Sequence, residues 1–146
     1  MPVRKSASSR DDRGSATVEL TLLIPALLLV LGLLVAGGRV WFARTAVVEA
    51  AQSAARAASL ARSAEQGRAD GVDAGEQSLT TARLVCASST VSVDAAAFAV
   101  PVGTPATITA TVDCRVSLAD LLLPVVPGSL QLTGEGSASL DTYRSR

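Results

Sequence analysis

The sequence predicts an α+β protein in which one long N-terminal helix precedes a small domain with an antiparallel β-sheet. Residues 18–38 are almost all apolar, and about 20 such residues suffice for a helix to cross a bilayer. Small residues then recur at helical spacing as far as residue 66. From residue 84 onward the apolar residues alternate with polar ones, which is the pattern of half-buried strands.

Residues 1–14 form a polar leader that contains no apolar cluster able to pack a core. Its basic residues, which favour the cytoplasmic side of a membrane, are Arg4, Lys5, Arg10 and Arg13. We therefore predict a cytoplasmic leader followed by a domain on the other side of the membrane, either at the cell surface or in the periplasm.

Residues 15–38 are predicted to be the transmembrane helix. Arg39 ends the apolar run, and Trp41 follows where an aromatic side chain suits the membrane interface. Pro25 has no N–H to donate to the carbonyl of Thr21, so we expect a gentle bend at Pro25.

A cleaved signal peptide is the alternative for this apolar run. Signal peptides have a shorter apolar region, of about 7–15 residues, and end in small residues. Residues 36–38, Ala-Gly-Gly, resemble such a cleavage site, and cleavage after Gly38 would leave a secreted chain that begins at Arg39. The length of the run and the acidic Glu19 within it favour a retained helix.

Residues 39–66 are predicted to extend the same helix outside the membrane, and Gly67 is expected to end it. A small apolar stripe follows one side of this extension: Ala43, Val47, Ala50, Ala54, Ala57 and Ala61. Polar residues follow the other side: Thr45, Glu49, Gln52, Arg56, Ser59, Ser63 and Gln66. Alanine lets two backbones approach closely. A partner's helix is the favoured neighbour of the stripe, and the chain's own small domain is the alternative.

Residues 67–146 are predicted to form the small α+β domain. A short second helix is expected around residues 73–82. The clearest strand covers residues 107–118, where alternate residues are apolar. Residues 121–126 contain a proline and are followed by another, so we expect a packed loop there. A last strand is expected over residues 130–143.

The two cysteines, Cys86 and Cys114, both follow the apolar run. On the exported side of a membrane they would form a disulfide that closes a loop of roughly 29 residues, worth roughly 3–4 kcal/mol. Two buried free thiols are the alternative.

The composition argues against catalysis, metal binding and nucleic-acid binding. The chain has no histidine, 13 basic and 13 acidic residues, and 3% aromatic residues. The usual general base and the usual transition-metal ligand are therefore missing, and no basic excess or stacking platform indicates nucleic acid. No CxxC, Walker or GxGxxG motif occurs, and the carboxylates are scattered. We predict no cofactor, no metal site and no enzymatic activity.

Glu19 is the most informative single residue. It lies five residues after Gly14, within the run Arg13-Gly14-Ser15-Ala16-Thr17-Val18-Glu19, at the head of the apolar stretch. A charge at the centre of a membrane helix costs about 2.5–3.5 kcal/mol on insertion scales, and less near the interface. A charged partner would offset this cost, whereas an interfacial glutamate would instead extend its carboxylate to water.

This arrangement resembles the N-terminus of type IV pilin-like proteins, and most closely the TadE family of minor pseudopilins in tight-adherence (Flp) pilus systems. The shared features are a basic residue and glycine, a glutamate five residues later, an aliphatic run with an early proline, and an Ala/Arg-rich helix over residues 42–58. The resemblance covers about residues 13–62.

The resemblance implies that a prepilin peptidase cuts between Gly14 and Ser15. The new amine of Ser15 would then be a cation able to pair with Glu19, in the same chain or in a neighbouring subunit. The implied function is non-catalytic: a membrane-anchored subunit that packs against other pilins through its helix. Two alternatives stay open at this point, namely an exported binding domain tethered by an uncut helix and the protein secreted after Gly38.

Overall fold

A computed structural model of the chain describes residues 12–119 and 128–142, with side chains from Leu20 onward. Two α-helices, a short 3₁₀-helix and three strands follow in the order α1 (Asp12–Leu60), α2 (Ala64–Thr81), β1 (Ser88–Asp94), the 3₁₀-helix (Ala96–Ala99), β2 (Ala106–Ser117) and β3 (Ser129–Leu140). The predicted fold class, a long apolar N-terminal helix followed by a small antiparallel sheet, is confirmed. The chain divides into two compact units between Gly37 and Gly38.

The first helix ends at Leu60, earlier than the predicted end at Gln66. Ser63 adopts extended backbone angles, and its hydroxyl accepts a hydrogen bond from the backbone N–H of Gln66 at 3.2 Å. This N-cap interaction begins a new helix. Gly67 consequently lies inside α2 and does not terminate α1, so the expectation that it ends the long helix was wrong.

The three strands form one antiparallel sheet in the order β1-β2-β3. In β2 the buried residues alternate as predicted, and they are Ile108, Ala110, Val112, Cys114 and Val116. The last predicted strand corresponds to β3, which ends at Leu140. Residues 121–126 and Tyr143, which belonged to the predicted loop and the predicted end of that strand, lie outside the described residues.

The part of α1 from Gly38 onward packs on the inner face of the sheet. Val47 shares a core cluster with Val112 and Leu132, and Ala58 shares another with Ile108 and Leu140. Further alanines of this part of the helix that are fully buried are Ala50, Ala51, Ala54 and Ala55. The alanine stripe therefore packs against the chain's own domain, so the preference for a partner's helix was wrong for these residues.

Glycines in β3 explain why alanines suffice at this interface. A methyl group on Gly134 would lie 2.7 Å from the carbonyl oxygen of Val47, and one on Gly136 would overlap the backbone of Ala51. No side chain separates the helix backbone from β3 at these two positions. The contacts also show that α1 and β3 run in the same direction, since Val47 lies at Gly134 and Ala51 at Gly136.

A second close contact joins α1 to α2 through three glycines spaced four residues apart. Gly67, Gly71 and Gly75 are all buried and face Ala54 and Ala58 of α1. The other neighbours of these glycines are Phe98, Val93 and Val91, in that order along α2. α2 is thus held between α1 and the inner side of β1 by its smallest residues.

Cys86 and Cys114 form a disulfide, with their Cα atoms 5.5 Å apart. Cys114 is fully buried in the central strand, whereas Cys86 is half-buried in the segment between α2 and β1. The bond therefore ties the end of the helical layer to the middle of the sheet.

Candidate functional site

The most unusual surface of the molecule is the apolar part of α1 before Gly37. Every residue from Leu20 to Val35 is exposed, and its large aliphatic side chains are between 44% (Val35) and 70% (Leu22) exposed. They occur in such close succession that they occupy all sides of the helix. A helix that is apolar all round is stable only within lipid or within other protein.

Length and composition also suit a membrane span. Within the described part of the chain, this is the one helix long and apolar enough to cross a membrane. Its most apolar window has a mean hydropathy of 2.6, and 6% of that window is buried. A soluble core helix would bury most of such a window. One N-terminal apolar helix of this kind is consistent with a single-pass membrane anchor.

Two aromatic residues follow the apolar surface. Trp41 is 74% exposed and Phe42 is 62% exposed. Arg39 lies just before them. Large exposed aromatic rings next to a cation are typical of the zone where a membrane meets water, so their exposure agrees with the position predicted for Trp41.

The predicted processing and assembly residues lie at the other end of the same helix. Gly14, Ser15 and Glu19 fall within the backbone range of α1, but their side chains are outside the described part of the chain. Pro25 lies inside α1, and the helix continues through it. The roles of these four residues stay predictions.

Two carboxylates of the domain accept hydrogen bonds from other groups of the domain. Asp94 accepts a hydrogen bond from the backbone N–H of Ala96 at 2.9 Å, and Asp113 accepts one from the Thr133 hydroxyl at 2.6 Å. Among the residues with described side chains, none that is polar or charged is buried. Those residues also include no group of three or more His, Cys, Asp or Glu side chains that could hold a metal ion.

The outer face of the sheet is polar and rich in hydroxyl groups. Its Ser and Thr residues are Ser88, Thr90, Ser92, Thr107, Thr109, Thr111, Ser117, Ser129, Thr133, Ser137 and Ser139. An antiparallel sheet with one face packed and one face solvated shows this alternation. The only charged side chains among the same positions are Asp94, Asp113, Arg115 and Glu135.

Sequence reasoning missed the way in which the glycines build the domain. The four-residue spacing of Gly67, Gly71 and Gly75 was a readable signal, because it places three small residues on one side of a helix. By strand propensity alone, the two glycines of β3 count only as weak points of a strand. Their alternation, Gly134 and then Gly136, places both on the same face.

Comparison with known proteins finds one similarity, in the first part of the chain. Residues 14–56 match the family model described as TadE-like protein, which confirms the resemblance found in the sequence. No curated protein matches the chain significantly, and no solved structure does so either. The matched segment covers most of α1, and the family indicates a protein associated with the tight-adherence pilus.

Proposed function

From the TadE-like match of residues 14–56 we propose that this chain is a non-catalytic minor pseudopilin, anchored in the cytoplasmic membrane, that contributes to assembly of a tight-adherence pilus or a related secretion filament. The observation that carries the proposal is the exposed aliphatic surface of residues 20–35, which lies inside the matched segment. This surface gives a single subunit two uses for one helix: it holds the subunit in lipid, and it offers neighbouring helices an apolar face during assembly.

Processing is the first step of the proposed function. A prepilin peptidase in the membrane cuts after Gly14, and Ser15 becomes the new N-terminus. The leader takes four basic residues with it, so the mature helix begins with an amine and no longer carries the cationic segment that holds it on the cytoplasmic side. Removal of the leader thus prepares the helix to leave the bilayer for a filament.

Charge pairing is the second step. Glu19 lies four residues after Ser15, and a carboxylate in a medium of low dielectric constant is stabilised by a nearby cation. We assign this cation to the Ser15 amine, either in the same chain or in the adjacent subunit. A subunit would then dock its helix only where a neighbour neutralises the acid.

The domain does not by itself distinguish anchored from secreted forms. The first residue packed against a hydrophobic cluster of the domain is Val40, so a chain cut after Gly38 would keep every member of the three clusters. The mature N-terminal residue is therefore the decisive measurement. Intact-mass analysis of the native protein is expected to give Ser15. Met1 would indicate an uncut tether, and Arg39 would indicate a secreted domain.

A substitution tests the charge pairing. Glu19→Ala is expected to leave cleavage after Gly14 intact and to abolish incorporation into the filament fraction of the producing cell. Glu49→Ala is the matched control, because it removes an exposed acid from the same helix. Normal incorporation of the Glu19→Ala subunit would contradict the proposed pairing.

A further inference from the structure

The outer edge of β3 presents a continuous row of backbone groups. The N–H of Leu118 donates to the carbonyl of Gly128 at 3.1 Å, and this pair extends the register of β2 and β3. In an antiparallel pair, hydrogen-bonded and non-bonded positions alternate. Even-numbered β3 residues therefore bond to β2, and the odd-numbered residues direct their N–H and C=O groups away from the sheet: Ser129, Gln131, Thr133, Glu135, Ser137 and Ser139.

The opposite edge of the sheet has a complementary row. Because the even positions of β2 bond to β3, its odd positions bond to β1, and Thr111 is paired with Ser92. Even-numbered β1 residues therefore face β2. The backbone groups of Ser89, Val91 and Val93 are directed outward.

Within the strands themselves, neither edge carries the residues that usually protect against further pairing. Proteins commonly block strand edges with proline or with charged side chains, lysine above all. β1 and β3 contain no proline, lysine or arginine, and their charged residues are Asp94 and Glu135. Both edges are thus chemically suited to accept another strand.

The direction of the helix limits which strand each edge can accept. α1 runs in the direction of β3, and the chain enters the domain at the Gly38 end of this helix. On the proposed function, that end is tethered to one membrane in every copy. Antiparallel pairing of β3 with β3 would reverse α1 in one of the two copies, so it is incompatible with two anchored subunits side by side.

We propose that the β3 edge of one copy adds in parallel to the β1 edge of the next copy of this chain. β1 and β3 run in the same direction, since each is antiparallel to β2. Parallel addition therefore keeps every α1 pointing the same way. The faces of the two sheets also agree. The odd residues of β3, whose backbone groups point outward, would lie opposite even residues of β1, and both sets have side chains on the solvated face.

Pairing without any stagger also avoids repulsion between the two acids of these edges, Asp94 and Glu135. Within one sheet, Ser92, Thr111 and Glu135 lie at the same level, as do Asp94, Thr109 and Ser137. Addition at the same level places Glu135 of one copy beside Ser92 of the next, and Ser137 beside Asp94. Each carboxylate then lies next to a hydroxyl group and not next to another acid.

Such an interface is heterologous, so each added copy leaves one β1 edge and one β3 edge for further copies. Head-to-tail interfaces generate rings or open assemblies, depending on the rotation between copies, and the open form is the one that a filament or a row of subunits in a membrane requires. The β1–β3 ladder is short, so its strength depends on simultaneous contact between the anchoring helices. The inference rests on the proposed function for the common direction of the helices.

Cysteine cross-linking in the producing cell's membranes tests the pairing with the full chain. Glu135→Cys is placed in a copy with one tag and Ser92→Cys in a copy with another. The expected Cα separation of about 4.8 Å between neighbouring strands suits a disulfide. We expect a mixed dimer when both copies are present, and a ladder of multimers when one chain carries both substitutions.

The single-cysteine samples are the controls. A dimer of Glu135→Cys copies alone would indicate antiparallel β3 pairing and would overturn the proposal. Cross-links only to a different protein, or none at all, would overturn it as well. If Ser15 is the mature N-terminus and Glu19→Ala abolishes incorporation while no mixed dimer forms, this inference fails and the proposed function stands.

A variant that changes the backbone of β3 distinguishes hydrogen-bonded pairing of the two edges from simple proximity of the two copies. Ser137→Pro removes an N–H that no strand of the same sheet uses, and proline is tolerated at such edge positions. We expect loss of the multimer ladder, because proline cannot donate to a ladder, with the Cys86–Cys114 bond still formed. Ser137→Ala keeps the N–H and is expected to keep the ladder. An equal ladder in both variants would contradict pairing through the β3 backbone.

Discussion

At the scale of single residues, two glycines decide how the helix meets the sheet. Gly134 and Gly136 leave no side chain between β3 and the backbone of α1 at Val47 and Ala51. The helix in turn presents alanine, so the interface obtains its packing density from backbone atoms. Glycine has an entropic cost of roughly 0.5–1 kcal/mol in a strand, and the close contact of the helix with the sheet offsets it.

Gly136→Ala is therefore expected to destabilise the domain. The added methyl group would overlap the backbone of Ala51, and overpacking of this kind costs about 1–3 kcal/mol, with more where the backbone cannot move. Thermal unfolding of the full chain in detergent should show a clear fall in Tm. Ser137→Ala, on the neighbouring solvated position, should leave Tm unchanged, and equal values for both variants would contradict the close contact.

At the scale of elements, the two helices and the sheet are joined by small residues on one side and by a disulfide on the other. The glycines of α2 pack on the alanines of α1, while the Cys86–Cys114 bond holds the segment after α2 against β2. Among the residues whose side chains are described, few large apolar side chains are fully buried, and the largest of them are Ile108, Val47, Val112 and Val116. Close backbone contact and a covalent bond compensate for this modest core.

Gly71→Ala tests the contact between the helices. Alanine is favoured over glycine by about 0.8–1 kcal/mol in a helix interior, so a free surface would be stabilised. Here the new methyl group would lie 2.8 Å from a Val93 methyl and 3.0 Å from the Ala54 carbonyl oxygen. We expect a net decrease in the free energy of unfolding, measured with denaturant. Asp70→Ala, at the exposed neighbouring position, should not decrease it, and a stabilised Gly71→Ala variant would show that the helices are not in close contact.

Replacing both cysteines by serine tests the covalent link. In the chain-entropy model a loop of this size is worth about 3–4 kcal/mol. Cys86 and Cys114 are separated by 28 residues, and Cys114 is fully buried, so a serine there also buries a hydroxyl group. We expect the double variant to unfold at markedly lower denaturant concentration than the parent chain. The single Cys86→Ser variant also abolishes the bond, but it introduces a hydroxyl group only at the half-buried position. A parent-like midpoint for both variants would contradict a stabilising disulfide.

At the scale of the whole molecule, the chain combines an apolar helical unit with a water-facing domain. The boundary between the units lies at Gly37 and Gly38, next to the end of the apolar run and just before Arg39. All members of the three hydrophobic clusters of the domain lie after this boundary, beginning with the partly buried Val40. The exposed aliphatic surface of residues 20–35 and these clusters therefore come from different parts of the sequence.

A chain that begins at Arg39 is consequently expected to fold without detergent. It should form the Cys86–Cys114 bond and elute as a compact species in gel filtration, because it retains every member of the three hydrophobic clusters. The chain that begins at Ser15 should require detergent or lipid, since it exposes the aliphatic surface of residues 20–35. Aggregation of the shorter chain under oxidising conditions would show that the domain depends on the residues before Arg39.

The sequence by itself determined the features that arise from local pattern. The apolar run, the alternation in β2 and the motif from Arg13 to Glu19 were readable because composition and spacing along the chain express them directly. The same reasoning predicted the fold class and the TadE-like resemblance, both of which are confirmed. Sequence reasoning placed the end of α1 at residue 66 and not at Leu60. Ser63 caps a new helix there, and a capping serine does not change the helical spacing of the residues around it.

Only the tertiary structure decided what the alanine stripe packs against. A stripe of small residues has the same sequence whether its neighbour is another chain or a strand of its own domain, since alanine permits close approach to either. The neighbour is set by residues far along the chain, Gly134 and Gly136, whose missing side chains leave room for the α1 backbone. Contacts between residues so distant in sequence arise from packing in three dimensions, and for that reason no local pattern of residues 39–66 contained this information.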